Sequence, residues 1–215
     1  MKFSKKWIGA LAALALVALV ITLNMGVNTT AVIAAANVGK PAANFTLADA
    51  DGKQVSLADY KGKWVVLEWL NHGCPYVQKH YGSGNMQSLQ KDYTGKGVVW
   101  LSIVSSAPGK QGYYSASEHK KMAAEKGSSA TAILIDETGK VGKLYGAKTT
   151  PHMFIINPQG DVVYNGAIDD HPNTNKADIA NSKNFVRVAL DAALQNKPIE
   201  TASTQPYGCT VKYAD

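Results

Sequence analysis

Trp69-Leu70-Asn71-His72-Gly73-Cys74-Pro75 ends a nearly continuous apolar run that starts at Lys63, and here an extended segment hands over to a helix. Because Trp64-Val65-Val66-Leu67-Glu68-Trp69-Leu70 lacks polar alternation, it reads as a strand buried on both faces of a sheet. Pro75 suits the first position of a helix, where its missing N–H would have had no partner. The Cys74 thiol then faces a helix N-terminus. Unpaired amides and the positive end of the helix dipole favour thiolate, the nucleophilic form, and can bring a thiol pKa from about 8.5 to roughly 3.5–7.5. His72, Lys79 and His80 are expected to add positive charge. The competing reading of Cys74 is an inert buried cysteine, a common fate of a free thiol.

Upstream, Asn44-Phe45-Thr46-Leu47, the turn Asp51-Gly52 and Gln54-Val55-Ser56-Leu57 read as a β-hairpin. Downstream, Pro75 to Tyr93 has helical spacing with a break at Gly82-Ser83-Gly84, followed by a strand at 97–104, a helix at 117–126 and a strand at 130–135. This β-α-β-α-β order implies right-handed crossovers and a parallel portion of sheet. Met153 to Ile156, the turn Asn157-Pro158-Gln159-Gly160, and Asp161 to Gly166 form a second hairpin, antiparallel to the rest. The Asp-, Asn- and Pro-rich stretch 168–181 reads as an exposed loop. A closing helix at 182–195 carries Phe185, Val188, Ala189, Ala192 and Ala193 on one expected face, and a polar tail holds Cys209.

Lys2, Lys5 and Lys6 precede an unbroken apolar run from Trp7 to Leu23, and no acid occurs before Asp49. This is the pattern of a secretory signal, with Ala34-Ala35-Ala36 as the cleavage cluster. Left uncut, the run is at the lower limit for spanning a bilayer, so a membrane anchor stays open beside cleavage. No Cys follows the run closely, which argues against a lipoprotein. Residues 1–36 are therefore assigned to the signal or anchor, 37–198 to one α/β domain, and 199–215 to a C-terminal tail. The three early lysines make up half of the formal charge of +6, and the remaining lysines lack arginine clusters or aromatic platforms, so nucleic-acid binding is excluded.

Two cysteines in an exported chain read first as one disulfide. As a structural staple it would be worth about 4 to 5 kcal/mol in the chain-entropy model. Five histidines invite a metal reading, but one Cys with a distant His matches no closed ligand set, and neither a metal nor a cofactor is expected.

The order hairpin, strand, Cys-Pro, helix, strand, helix, strand, Thr-Pro, hairpin, helix resembles the thioredoxin superfamily, in its exported redoxin and peroxiredoxin-like (AhpC/TSA-like) branch. The matching strings are Val38-Gly39-Lys40-Pro41-Ala42-Ala43-Asn44-Phe45, Trp69 to Pro75, and Thr150-Pro151-His152-Met153-Phe154-Ile155. The resemblance implies a thioredoxin-like fold, with a mixed central sheet flanked by helices and an N-terminal β-hairpin. Val77 stands where thioredoxins carry a second Cys and peroxiredoxins their peroxide-reactive one, so Cys74 resembles the thioredoxin attacking cysteine.

In this likeness Cys209 is the in-chain candidate for the resolving thiol, with a permanent Cys74–Cys209 staple as the alternative. Pro151 corresponds to a cis-proline facing the attacking Cys. Thr150, Pro151, Pro75 and His72 border the expected substrate groove. Glu68 matches a buried acid that moves a proton, with an exposed strand-face acid as the alternative. The function implied is a periplasmic-type thiol-disulfide oxidoreductase that acts on protein or small-molecule disulfides with an external thiol reductant. A slow thiol peroxidase and a non-catalytic binding or copper-handling module remain the rival readings.

Overall fold

The computed structural model describes residues 36–214. The expected signal or anchor therefore lies outside the described residues, apart from Ala36. Ala36 is itself packed in the core, its N–H bonded to the Tyr145 carbonyl at 3.2 Å and its carbonyl accepting from Asn165 Nδ2 at 2.8 Å. Among the described residues no helix is long and apolar enough to cross a membrane.

The N-terminal hairpin consists of β1 (Thr46–Asp49) and β2 (Gln54–Ser56). Then follow β3 (Val65–Trp69), α1 (Pro75–Gly82), α2 (Asn85–Thr94), β4 (Val99–Val104), α3 (Ala116–Glu125) and β5 (Ala132–Ile135). Gly84 divides α1 from α2 at φ 76°, a left-handed conformation that favours glycine, and this is the break expected at Gly82-Ser83-Gly84. A short α4 (Lys140–Tyr145), absent from the sequence reading, precedes β6 (Thr149–Thr150), β7 (His152–Ile156), β8 (Val162–Gly166), α5 (Phe185–Leu194) and β9 (Cys209–Thr210).

Seven strands form one mixed sheet in the order β2-β1-β5-β4-β3-β7-β8, while β6 and β9 pair apart from it. The β3–β4 and β4–β5 pairs are parallel, as a βαβ order requires, and β7 lies antiparallel on β3 with Trp69 opposite His152. This is a thioredoxin-like α/β fold. Strand period 2 sends Val65, Leu67 and Trp69 into a core shared with the hairpin and α4. Val66 and Leu70 join the opposite core with Cys74, Val77, Tyr81 and α5.

Two expectations fail. In α5 the buried residues are Val186, Ala189, Leu190 and Ala193, a true i, i+3, i+4, i+7 stripe, while Val188 is 45 % exposed. In 168–181 the stretch is not simply an exposed loop: Ile168 and Asp169 are buried, and a 3-10 turn covers Lys176–Asn181. Asp169 is pulled inward by a buried lysine, a pairing invisible to local composition. The corrected face of α5 is tested by two truncations. Leu190→Ala is expected to cost about 2 to 5 kcal/mol and Val188→Ala no more than about 0.5 kcal/mol; comparable losses in urea unfolding would restore the original face.

Candidate active site

Cys74 occupies the N-cap of α1 with extended backbone, φ −80° and ψ 125°, and Pro75 opens the helix as the Cys-Pro pair predicts. Its turn is braced from outside. Gly73 N–H donates to Asn71 Oδ1 at 2.8 Å, Asn71 Nδ2 donates to the Gln111 carbonyl at 3.2 Å, and Gln111 Nε2 returns a bond to the Gly73 carbonyl at 2.9 Å. Gly112, at φ 84°, lets that loop close on Asn71, since a Cβ there would overlap the Asn71 amide. Neither Asn71 nor Gln111 was singled out from sequence; the contact spans 40 residues and leaves no local signature.

The Cys74 sulfur is fully buried. It lies 3.1 Å from the Thr150 carbonyl and 2.8 Å from Cys209 Sγ, and both cysteines are free thiols here. The Thr150–Pro151 peptide bond is cis, and Pro151 is buried between β6 and β7. Cys209 arrives on β9, which pairs antiparallel with β6 so that Thr150 faces Cys209 and Thr149 faces Thr210. The tail from 199 is thus an ordered arm within the same compact unit as the sheet. Pro75 is exposed at the rim.

The two thiols are electrostatically unequal. Burial pushes Cys74 up, but the Cys209 thiol 2.8 Å away and the polar Thr150 side chain, with help from the Val77 and Cys209 backbone amides, outweigh it and leave the Cys74 pKa lowered. Burial, and then the neighbouring Cys74 sulfur, push Cys209 up to about 11. Cys74 is therefore the sulfur that ionises first.

The nearby histidines do not contribute the charge expected of them. Burial brings His72 down to about 4, with the His119 and Lys126 charges acting in the same direction. Its ring packs against Tyr81 and His119 at centroid distances of 6.0 and 5.9 Å, and neither nitrogen has a hydrogen-bond partner. His72 is a buried neutral ring, not an open groove residue. Burial also brings His80 to about 4 in spite of Asp169, so this imidazole is uncharged near neutrality.

Glu68 is fully buried, which removes the exposed-face alternative. Its carboxyl accepts from Tyr81 Oη at 3.0 Å, Gln90 Nε2 at 3.1 Å, Trp100 Nε1 at 2.8 Å and Ser102 Oγ at 2.9 Å. Desolvation raises its pKa, and these four bonds oppose the rise without cancelling it. None of its hydrogen-bond partners is a cysteine. Among the described residues no group of three or more His, Cys, Asp or Glu side chains is arranged to hold a metal ion.

Fold and site define a thioredoxin-fold redoxin, an enzyme of thiol–disulfide oxidoreduction. A model of the AhpC/TSA family matches residues 38–165, and the chain belongs to that family. The thiol-disulfide oxidoreductase ResA of Bacillus thuringiensis subsp. konkukian is 28% identical over 126 residues, 59% of this chain and 67% of its own length. An uncharacterized conserved protein from Geobacillus kaustophilus superposes with a TM-score of 0.72 at 31% identity, over 83% of this chain and 93% of its own. A putative thioredoxin from Neisseria meningitidis, 20% identical, shares the fold at a TM-score of 0.53 over 74% of this chain and 93% of its own.

Two measurements test these electrostatics. Ultraviolet thiolate titration is expected to show a first ionisation below the ordinary thiol range of about 8.5 and a second near 11. Cys209→Ala, which deletes the donor, is expected to raise the first; an unmoved Cys74 titration would show that Cys209 does not stabilise the thiolate. For Glu68, the folded chain keeps a proton that the unfolded chain releases above about 4.3. Stability therefore falls as pH rises from there through the folded pKa. Glu68→Gln should flatten this fall in urea unfolding across pH, and parallel slopes would locate the linked proton elsewhere.

Proposed function

We propose that Cys74 is the attacking thiolate and Cys209 the resolving thiol of an exported thiol-disulfide oxidoreductase. The observation that carries this reading is the 2.8 Å separation of two sulfurs 135 residues apart in sequence, one with a lowered pKa and the other with a raised one. Such an asymmetric pair has its nucleophile and its proton-bearing partner in place. Cys74 thiolate attacks one sulfur of a partner disulfide and expels the other as a thiolate, leaving a mixed disulfide. Cys209 gives up its proton and attacks Cys74 Sγ. The Cys74–Cys209 bond forms and the partner departs with its second sulfur as a thiol. The partner gains two electrons and two protons; an outside thiol reductant returns the pair to the dithiol by the same steps reversed.

Glu68 is the candidate proton holder, since its buried carboxyl keeps a proton above the ordinary carboxylate range. Thr150, Pro151 and Pro75 border the reacting sulfur, and the exposed Pro75 marks the rim where a protein or small-molecule disulfide meets the enzyme. Export is supported by the lysine-led apolar run at the N-terminus.

Glutathione-disulfide turnover tests the assignment. Cys74→Ser should abolish it, and Cys209→Ser should stop after the first step and accumulate a glutathione adduct on Cys74, visible by intact mass. Undiminished turnover by Cys74→Ser would end this reading. Oxidation of Cys74 by hydrogen peroxide far faster than that of a free thiol would move the assignment to a peroxidase.

A further inference from the structure

Exchange between Cys74 and Cys209 leaves a buried polar cluster beside it unused. Lys79 and His80 of α1 and Asp169 from the segment after β8 are each buried. Lys79 Nζ lies 3.3 Å from Asp169 Oδ2 and donates to the His171 carbonyl at 2.7 Å. The other Asp169 oxygen accepts a hydrogen bond from the phenol of Tyr207 on the Cys209 arm. That phenol also lies 3.2 Å from His80 Nε2.

The donors run in one direction. Asn184 Nδ2 donates to Asn85 Oδ1 at 3.4 Å, which points Asn85 Nδ2 at His80 Nδ1, 2.9 Å away. With Nδ1 accepting, the neutral ring carries its proton on Nε2 and donates to Tyr207 Oη, leaving the phenol proton for Asp169. Tyr207 is thus satisfied as acceptor and as donor by groups that are themselves fixed. Its ring meets Tyr76 of α1 at 5.7 Å, and Lys79 Nζ lies 5.7 Å from the ring centroid.

This anchor is built on the same helix that carries the nucleophile. From Cys74 to Lys79 is five residues of helix, about 7.5 Å of rise. The two residues from Tyr207 to Cys209 reach at most about 7 Å. An arm pinned at Lys79 and His80 therefore returns to the N-terminus of α1 at Cys209, and both Tyr207 and Cys209 pack against the core that contains Cys74. Between them Gly208 has φ 135°, and a Cβ there would fall on the Thr150 carbonyl oxygen. Only glycine lets the arm lie that close to β6.

We infer that Tyr207 is a positioning residue for the exchange. Held by Asp169 and His80, it seats Cys209 against Cys74 and so sets the equilibrium constant for closing the Cys74–Cys209 disulfide, with Gly208 permitting the seat. This rests on the reading of the two cysteines as the exchange pair. The reaction it governs is dithiol plus glutathione disulfide giving protein disulfide plus two glutathione thiols, with two electrons passing to glutathione.

The test equilibrates the full chain with glutathione and glutathione disulfide at graded ratios and reads the closed fraction by intact mass after acid trapping, alongside thermal unfolding. Tyr207→Phe keeps the ring and removes only the hydroxyl. It is expected to lower the closing constant about tenfold, equivalent to about 30 mV for a two-electron couple, and to accumulate glutathione on Cys74 while remaining folded. Gly208→Ala, which leaves the buried cluster untouched, is expected to shift the constant in the same direction. If the native chain never closes its disulfide, the exchange reading itself fails. If it closes and both variants close with the native constant, the role of Tyr207 is overturned. Should Tyr207→Phe not fold, His80→Gln, which removes one of the two groups holding the phenol, takes its place, a native constant refuting the seat and a lowered one supporting it.

Discussion

The antiparallel register of β3 on β7, with Trp69 opposite His152, is the constraint on which the site depends. Because β3 runs directly into the Cys74 turn and β7 follows directly on Thr150-Pro151, this register brings the Thr150 carbonyl to the Cys74 sulfur. Slipping it by one residue would reverse every side chain of β3, sending Trp69 and Leu67 to the face now occupied by Glu68 and Val66. Both faces are packed, so neither alternative is open. The β6 edge beside Pro151 then receives β9, and Cys209 is delivered to Cys74 by backbone pairing.

Desolvation governs the chemistry around that junction. His72 and His80, which at an exposed site would titrate near neutrality, are held fully neutral there because the core around α1 excludes water. The charge expected to stabilise a thiolate is therefore missing, and the neighbouring Cys209 thiol and polar Thr150 side chain take its place. Lys79 keeps a counter-ion, and meeting that requirement draws Asp169 out of a segment that reads as solvated loop. Glu68 has four donors and no cation among its hydrogen-bond partners, so its proton affinity rises while its hydrogen bonds hold it in one place.

Much of this was legible in the chain itself. The nearly continuous apolar run before Cys74, the Cys-Pro junction, the glycine break at 82–84 and the two hairpins each follow from a local rule about periodicity, capping or turn chemistry. The face of α5 is not legible locally because alanines at 189, 192 and 193 carry too little hydrophobic contrast to separate adjacent stripes; packing buries Val186 and Leu190 instead of Val188. Helix α4 is only six residues long, too short to show a period, and it begins and ends at left-handed glycines, Gly139 and Gly146.

The sequence by itself determined the order of elements, the place of Cys74 at a helix N-terminus and the presence of a second cysteine, because these depend on neighbours a few residues apart. Only the tertiary structure decided that Cys209 lies on Cys74, that Glu68 points inward and that His72 and His80 carry no charge. Those outcomes depend on strand register, on burial by segments 32 to 135 residues distant and on which buried charge finds a partner. Solvent exclusion and long-range pairing arise only when the whole chain is packed, so no local pattern could have declared them.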